Sequence, residues 1–243
     1  MTAVMVAGLF VLSFVSGMLG LGVAFAAVPF LALFLPDLVH QVQPLSLLLN
    51  GLTALFAALG FWRGGHLDWS RAIPLAVVTT LFAPLGALAA QRVDPLLIWA
   101  VYLGAVIYLA YRLFRPVRER PGEEDFRTAL VLAAPISVLS GLLGVGPGFL
   151  LMPTLVIAGF PTKRAAGINA FAVTPPSFSA LIPHLPTAVW DPSLTVALLA
   201  VGAVGAFGGA TLSSRVVPAL RLKQLFGVLI VVMTAYKIAA AFA

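Results

Sequence analysis

Thirty-three consecutive residues, Ala3 to Leu35, carry no charge. As one helix this run would be roughly 50 Å long at about 1.5 Å per residue, whereas the hydrocarbon core of a bilayer is about 30 Å thick. It is too long for one upright crossing and too short for two full ones. Gly17, Gly20 and Gly22 stand in its middle and predict a break into two short helices that meet at membrane depth. Irregular backbone is tolerated there only when it is buried in protein or lines a cavity.

The same segment returns 124 residues later. Ser16-Gly-Met-Leu-Gly-Leu-Gly-Val-Ala-Phe-Ala-Ala-Val-Pro-Phe-Leu31 aligns without gaps on Ser140-Gly-Leu-Leu-Gly-Val-Gly-Pro-Gly-Phe-Leu-Leu-Met-Pro-Thr-Leu155. Eight of the sixteen positions are identical, including Gly17/Gly141, Gly20/Gly144, Gly22/Gly146, Phe25/Phe149 and Pro29/Pro153. Further matches one residue out of that register, Gly86/Gly209, Ala87/Ala210, Arg92/Arg215 and Pro95/Pro218, extend the likeness to the later helices. The chain therefore reads as two copies of one unit, each opening on a broken hydrophobic segment.

A chain of 243 residues that is 61% hydrophobic and 9% charged cannot cover a globular surface with polar groups. It reads as an all-α polytopic membrane protein in contact with a lipid bilayer. With no cysteine and only His40, His66 and His184, thiolate chemistry is excluded, and no i, i+4 histidine pair builds a metal face. Neither a metal nor another cofactor is expected. The net charge of +6 sits between the apolar runs and not in one patch, so topology explains it better than nucleic acid does. The apolar N-terminus lacks a basic n-region and belongs to the first repeat, so it is expected to be retained.

Uncharged runs place further segments at Leu45 to Trp62, Ala72 to Ala90 and Leu96 to Tyr111, and then Thr128 to Thr162, Ala165 to Pro183, Ser193 to Ser214 and Leu222 onward. The predicted organisation is a first transmembrane repeat over 1–114, a linker over 115–127 and a second repeat over 128–243. Each repeat has four to five membrane segments. Arg112, Arg115, Arg118, Arg120 and Arg127 place the linker in the cytoplasm by the positive-inside rule. Each broken segment is expected to return to the side it came from, either as a re-entrant pair or as two short crossings. That leaves an odd number of crossings per half and makes the repeats inverted. Trp62, Trp69, Trp99 and Trp190 read as interfacial belt residues, His66 and His184 as span-end residues, and Arg92 and Arg215 as snorkelling cations.

The duplicated break, followed by Lys163-Arg-Ala-Ala-Gly-Ile-Asn169, resembles the sulfite exporter TauE/SafE family, the TSUP transporters, over essentially the full length. The resemblance implies a bacterial or archaeal inner-membrane permease for small sulfur-containing anions such as sulfite or organosulfonates, working as an exporter. The glycine run here is thinner than the family's, with Val23-Ala24 after Gly22 and Pro147 between Gly146 and Gly148.

Helix N-termini exposed at such breaks attract anions through unpaired N–H groups and the helix dipole. Gly20, Gly22, Gly144, Gly146, Pro147 and Gly148 are therefore candidate substrate-binding positions. The alternative is that these glycines let helices pack closely. Asn50 and Thr53 on one segment and Asn169, Thr174 and Ser177 on its counterpart add hydroxyl and amide groups for a sulfite or sulfonate. Such side chains also commonly bond to backbone or across helices. Pro175-Pro176 is expected to bend or interrupt its helix. No acidic residue lies inside a predicted span, which disfavours a cation site. An intramembrane enzyme lacks a nucleophile and base, and a P-loop is absent. The remaining readings are an alternating-access secondary transporter with protons as a candidate co-substrate, a passive anion channel or facilitator, and a permease for a different small organic acid. Oligomeric state is not legible.

Overall fold

The computed structural model describes residues 2–114, 124–215 and 231. Within them the chain forms helices and no strand: α1 Thr2–Leu19, α2 Ala24–Leu31, α3 Gln43–Arg63, α4 Trp69–Ala90, α5 Pro95–Phe114, α6 Phe126–Leu143, α7 Gly148–Ile157, α8 Thr162–Leu181 and α9 Pro192–Arg215. Six segments are long and apolar enough to cross a membrane: α1, α4, α6, α9, and the extended units Leu38–Arg63 and Thr162–His184. The expected last segment, from Leu222, and residues 115–123 of the linker lie outside the described residues.

Both broken segments are present, but their limbs are unequal. α1 has 18 residues and α2 has 8, and α6 and α7 have 18 and 10. The first limb, about 27 Å at 1.5 Å per residue, is close to a full crossing. The imbalance follows from which glycines turn the chain. Gly17 remains helical, and so does Gly141; the chain turns at Gly20, Gly22 and Gly144, at φ values of +65°, +73° and +68°. The two turns have the same wiring. Gly20 N–H donates to Gly17 O and Leu21 N–H to Ser16 O, while Gly144 N–H donates to Gly141 O and Val145 N–H to Ser140 O. This pairing is how a left-handed glycine closes a helix C-terminus.

Gly17 and Gly141 serve close helix packing. A Cβ on Gly17 would strike the Ala206 backbone of α9, and one on Gly141 would strike Ala83 O of α4. In return, Gly209 lies on the α1 backbone at Phe14 and Met18, and Gly86 on the α6 backbone at Val138 and Leu142. Glycine permits this approach because it has no Cβ. The helix pairs are reciprocal: α1 packs on α9 as α6 packs on α4, α3 packs on α9 as α8 packs on α4, and α3 packs on α8.

Two further departures from the sequence reading have local causes. The third segment begins at Leu38 and not Leu45, because Asp37 accepts from the N–H groups of Val39 and His40 and starts a π-helical turn, Leu38–Val42, that feeds α3. α8 runs through Pro175 and Pro176 without interruption. Pro176 cannot donate to Ala172 O, and Thr79 Oγ1 of α4 donates to that carbonyl instead, at 2.9 Å. A neighbouring helix thus satisfies the group that proline frees.

The loops sort into two ends. At one, called the Asp37 end, Val189 N–H donates to His40 O at 2.8 Å, and Gln91 Nε2 lies 2.7 Å from His184 Nδ1. At the other, the Asp68 end, Arg164 pairs with both Asp68 and Glu124, Asp125 N–H donates to Ala158 O, and Lys163 Nζ donates to Ser214 O. Two interfacial readings are corrected here. Trp99 is 5% exposed and packs on Tyr102, and His184 is fully buried, held between Gln91 and Val39 O. Trp99 belongs to the core beside Tyr102, and His184 is covered by Val39 of the π-helical turn and by Gln91 just past α4.

Candidate functional site at the meeting of the two breaks

Asn50 occupies the centre. It lies on α3 two turns after Gln43, and both breaks press on its amide: a Cβ at Gly22 would overlap Asn50 Oδ1, and one at Gly146 would overlap Asn50 Nδ2. Oδ1 accepts from Ala24 N–H at 2.9 Å, and Nδ2 donates to Ser177 Oγ of α8 at 2.8 Å. Ser177 Oγ in turn donates to Val173 O. Thr53 Oγ1, bonded to Leu49 O, lies 3.4 Å from Val23 N. Asn50 thus caps α2 from a different helix, which is the role an N-cap side chain performs locally.

Asn169 makes the second crossing. Its Nδ2 donates to Gly20 O at 2.6 Å and to Gly148 O at 3.3 Å, so one amide ties the break of each half to α8. Its Oδ1 is buried and has no hydrogen-bond partner. Beyond it, the rings of Phe25 and Phe149 stack, and Tyr102 O–H donates to Phe25 O.

The expected residues therefore separate. Gly22, Gly146, Gly148, Asn50, Thr53, Asn169 and Ser177 share one buried cluster. Gly20 borders it through Asn169 and Ala166 O, and Pro147 stands just ahead of α7, where it supplies no side-chain cap. Gly144 lies further out against Gln43, and Thr174 spends its hydroxyl on Ala170 O within α8. The repeat places Asn50 opposite Thr174, so the two halves differ here. α2 has its first amide occupied by Asn50, whereas α7 has no equivalent cap and keeps an anion-attracting end. Sequence reasoning missed Gln43 and Thr79. Gln43 stood next to Pro44, just ahead of the segment expected from Leu45, and Thr79 looked like one isolated hydroxyl in an apolar run.

A surface cleft of about 150 Å³ at the Asp37 end is lined by Leu35, Gln41, Leu45, Trp190 and Asp191. Its charged group is a carboxylate, which suits an anion poorly. No cluster of three metal-ligating side chains is present among the described residues.

The family described as Sulfite exporter TauE/SafE matches residues 4–237. A "Probable membrane transporter protein" of Xylella fastidiosa is 26% identical over 241 residues, covering 93% of this chain and 90% of that protein. A protein of the same description from Methanocaldococcus jannaschii is 24% identical over 187 residues, or 72% of this chain and 69% of the relative. No solved structure matches.

Proposed function

We propose that this chain, which belongs to the sulfite exporter TauE/SafE family and is a multi-pass membrane transporter, moves a small sulfur-containing anion such as sulfite or an organosulfonate. The transport would be by alternating access around the Asn50 cluster. One observation carries the reading: the breaks of both halves converge on one buried amide, in a cluster with no charged side chain. A small oxyanion can be held by N–H and O–H groups alone, and the uncapped α7 end adds a favourable dipole. An acidic pocket would repel it.

We further propose that the halves are inverted about an axis in the membrane plane, with export into the medium and the 115–127 linker in the cytoplasm of a bacterial or archaeal cell. Supporting this, α3 runs from the Asp37 end to the Asp68 end and α8 runs the other way. The two stacks between α1 and α9 and between α4 and α6 exchange under the same operation. Closure at one end and opening at the other would then interconvert by rocking one half on the other.

Purified protein in proteoliposomes should take up sulfite, sulfoacetate or taurine with saturation and counterflow, in preference to sulfate, and a proton gradient tests coupling. Non-saturating flux without counterflow would replace the carrier by a channel. Uptake of none of these sulfur compounds would overturn the substrate class.

A further inference from the structure

α3 carries a polar row of which the central cluster uses only the half nearer the Asp68 end. Gln43, Ser46, Asn50 and Thr53 follow one another at steps of three and four residues, so they lie along one helical face. All four are buried, at no more than 1% exposure. Asn50 and Thr53 are bonded as described, but Gln43 Oε1 and Ser46 Oγ have no partner. Ser13 and Ser16 of α1 are also unpartnered, whereas Ser137, Ser140 and Ser177 each donate to the carbonyl four residues earlier; on α3, Ser46 stands beside a second unmet atom. A buried polar atom without a partner is unfavourable in an apolar setting, and here two lie one turn apart on the same helix face.

What lies over the row is the second break. Gly144 packs on the Gln43 side chain, whose Nε2 donates to Leu142 O at 3.2 Å, and Gly146 packs on Asn50. Ser46 falls between those two contacts. The Gly144–Pro147 loop of the second half thus lies along the row from the Asp37 end to the centre. The equivalent row on α8 reads Gly167, Ala170, Thr174 and Ser177, and it offers no side-chain hydrogen-bonding group in its outer half.

We propose that Gln43 and Ser46 line the substrate route between the Asp37 end and Asn50, and that the Gly144–Pro147 loop covers them until it moves. When the loop moves aside, the Ser46 hydroxyl donates to an oxygen of the passing oxyanion. Gln43 Oε1 accepts from the ion's water of hydration or from a protonated oxygen. From Asn50 toward the Asp68 end, past Gly167 and Ala170, the route has no matching side-chain donors or acceptors on α8. The ligand class rests on the transporter reading above; the accessibility of the row does not.

The chain has no cysteine, so single substitutions report access without background. Ser46→Cys and Gln43→Cys are treated in proteoliposomes with a membrane-impermeant anionic methanethiosulfonate, from either side, with Ser137→Cys as the buried and satisfied control. Sulfoacetate is the protecting probe, since sulfite attacks the reagent. From the Asp37 side, modification of Ser46→Cys should exceed that of Ser137→Cys by about tenfold or more, as expected for a residue exposed in a minor open state, and sulfoacetate should slow it. Equal, negligible modification of both from both sides overturns the route. Modification without protection supports the route and counts against the sulfur-anion reading instead. Gln43→Cys gives the same readout where Ser46→Cys is not recovered folded. Ser46→Ala adds a separate measure: a purely structural hydroxyl predicts unchanged KM, whereas a lining hydroxyl predicts a raised KM at unchanged Tm.

Discussion

Phe25 and Phe149, equivalent in the repeat and 124 positions apart, stack on each other with ring centroids 4.4 Å apart and planes within 14°. The pair joins the short second limb of one break, α2, to that of the other, α7. Truncation of either ring to Ala should cost about 3–5 kcal/mol. A double-mutant cycle in detergent, read by thermal unfolding, should give a coupling of about 0.5–1.5 kcal/mol. Full additivity would mean that the rings do not interact.

Gly146 has no room for a methyl group because Asn50 fills the space, whereas Gly104 of α5 has nothing within 4 Å. Gly146→Ala should displace the Asn50 amide from Ser177 and lower transport by about tenfold, equivalent to about 1.4 kcal/mol. Gly104→Ala should leave transport intact and raise helix stability by up to about 1 kcal/mol. Uptake rates of the two variants, measured side by side, test the contrast.

Asn169 and Thr174 were equal candidates by residue type, and their bonds separate them. Asn169→Ala strips the donor from Gly20 O and should destabilise by about 1–3 kcal/mol, with loss of uptake. Thr174→Ala removes a bond to its own helix and should cost no more than about 1 kcal/mol. Similar melting shifts in both variants would argue against the cross-repeat role of Asn169.

Thr187 and Arg63 are exposed at the Asp37 and Asp68 ends. In intact cells an impermeant thiol reagent should label Thr187→Cys, while Arg63→Cys should need permeabilised membranes. Labelling of both from one side would remove the inverted topology.

At Asp68, burial works against the charged carboxylate, but hydrogen bonds from Ser70 and Arg164 and the Arg164 charge outweigh it, so its pKa lies below the ordinary 3.8. A lowered folded-state pKa gives stability that is present above the unfolded value and lost as pH falls through the folded one. The difference in Tm between the wild type and Asp68→Asn should stay flat from about pH 5 to 8 and close only below 3.8. Both partners are partly exposed, so the tie contributes less than about 1 kcal/mol. A difference that already shrinks near pH 6 would point to another group.

The helical membrane architecture was legible because it follows from local facts. Long uncharged runs exceed the reach of any soluble fold, and a repeat of three glycines and a proline marks the breaks whatever surrounds them. The alternative readings of those glycines were not separable in sequence, because φ at Gly20 and the contact at Gly17 depend on what lies beside them. Gly20 turns the chain; Gly17 admits Ala206. Likewise, proline predicts a freed carbonyl at Ala172, but only the approach of α4 supplies Thr79 to bond it.

Two related halves, each opening on a broken segment and rich in small residues, with Asn, Ser and Thr at matched positions, are written in the order of residues alone. That Asn50 caps α2 while Thr174 does not cap α7, that Asn169 holds the breaks of both halves, and that Gln43 and Ser46 lie unpaired under the second break come from the packing of the helices. The reason is that an amide or hydroxyl has several partners within reach of its own helix, and which one it takes is settled by the helix that packs against it.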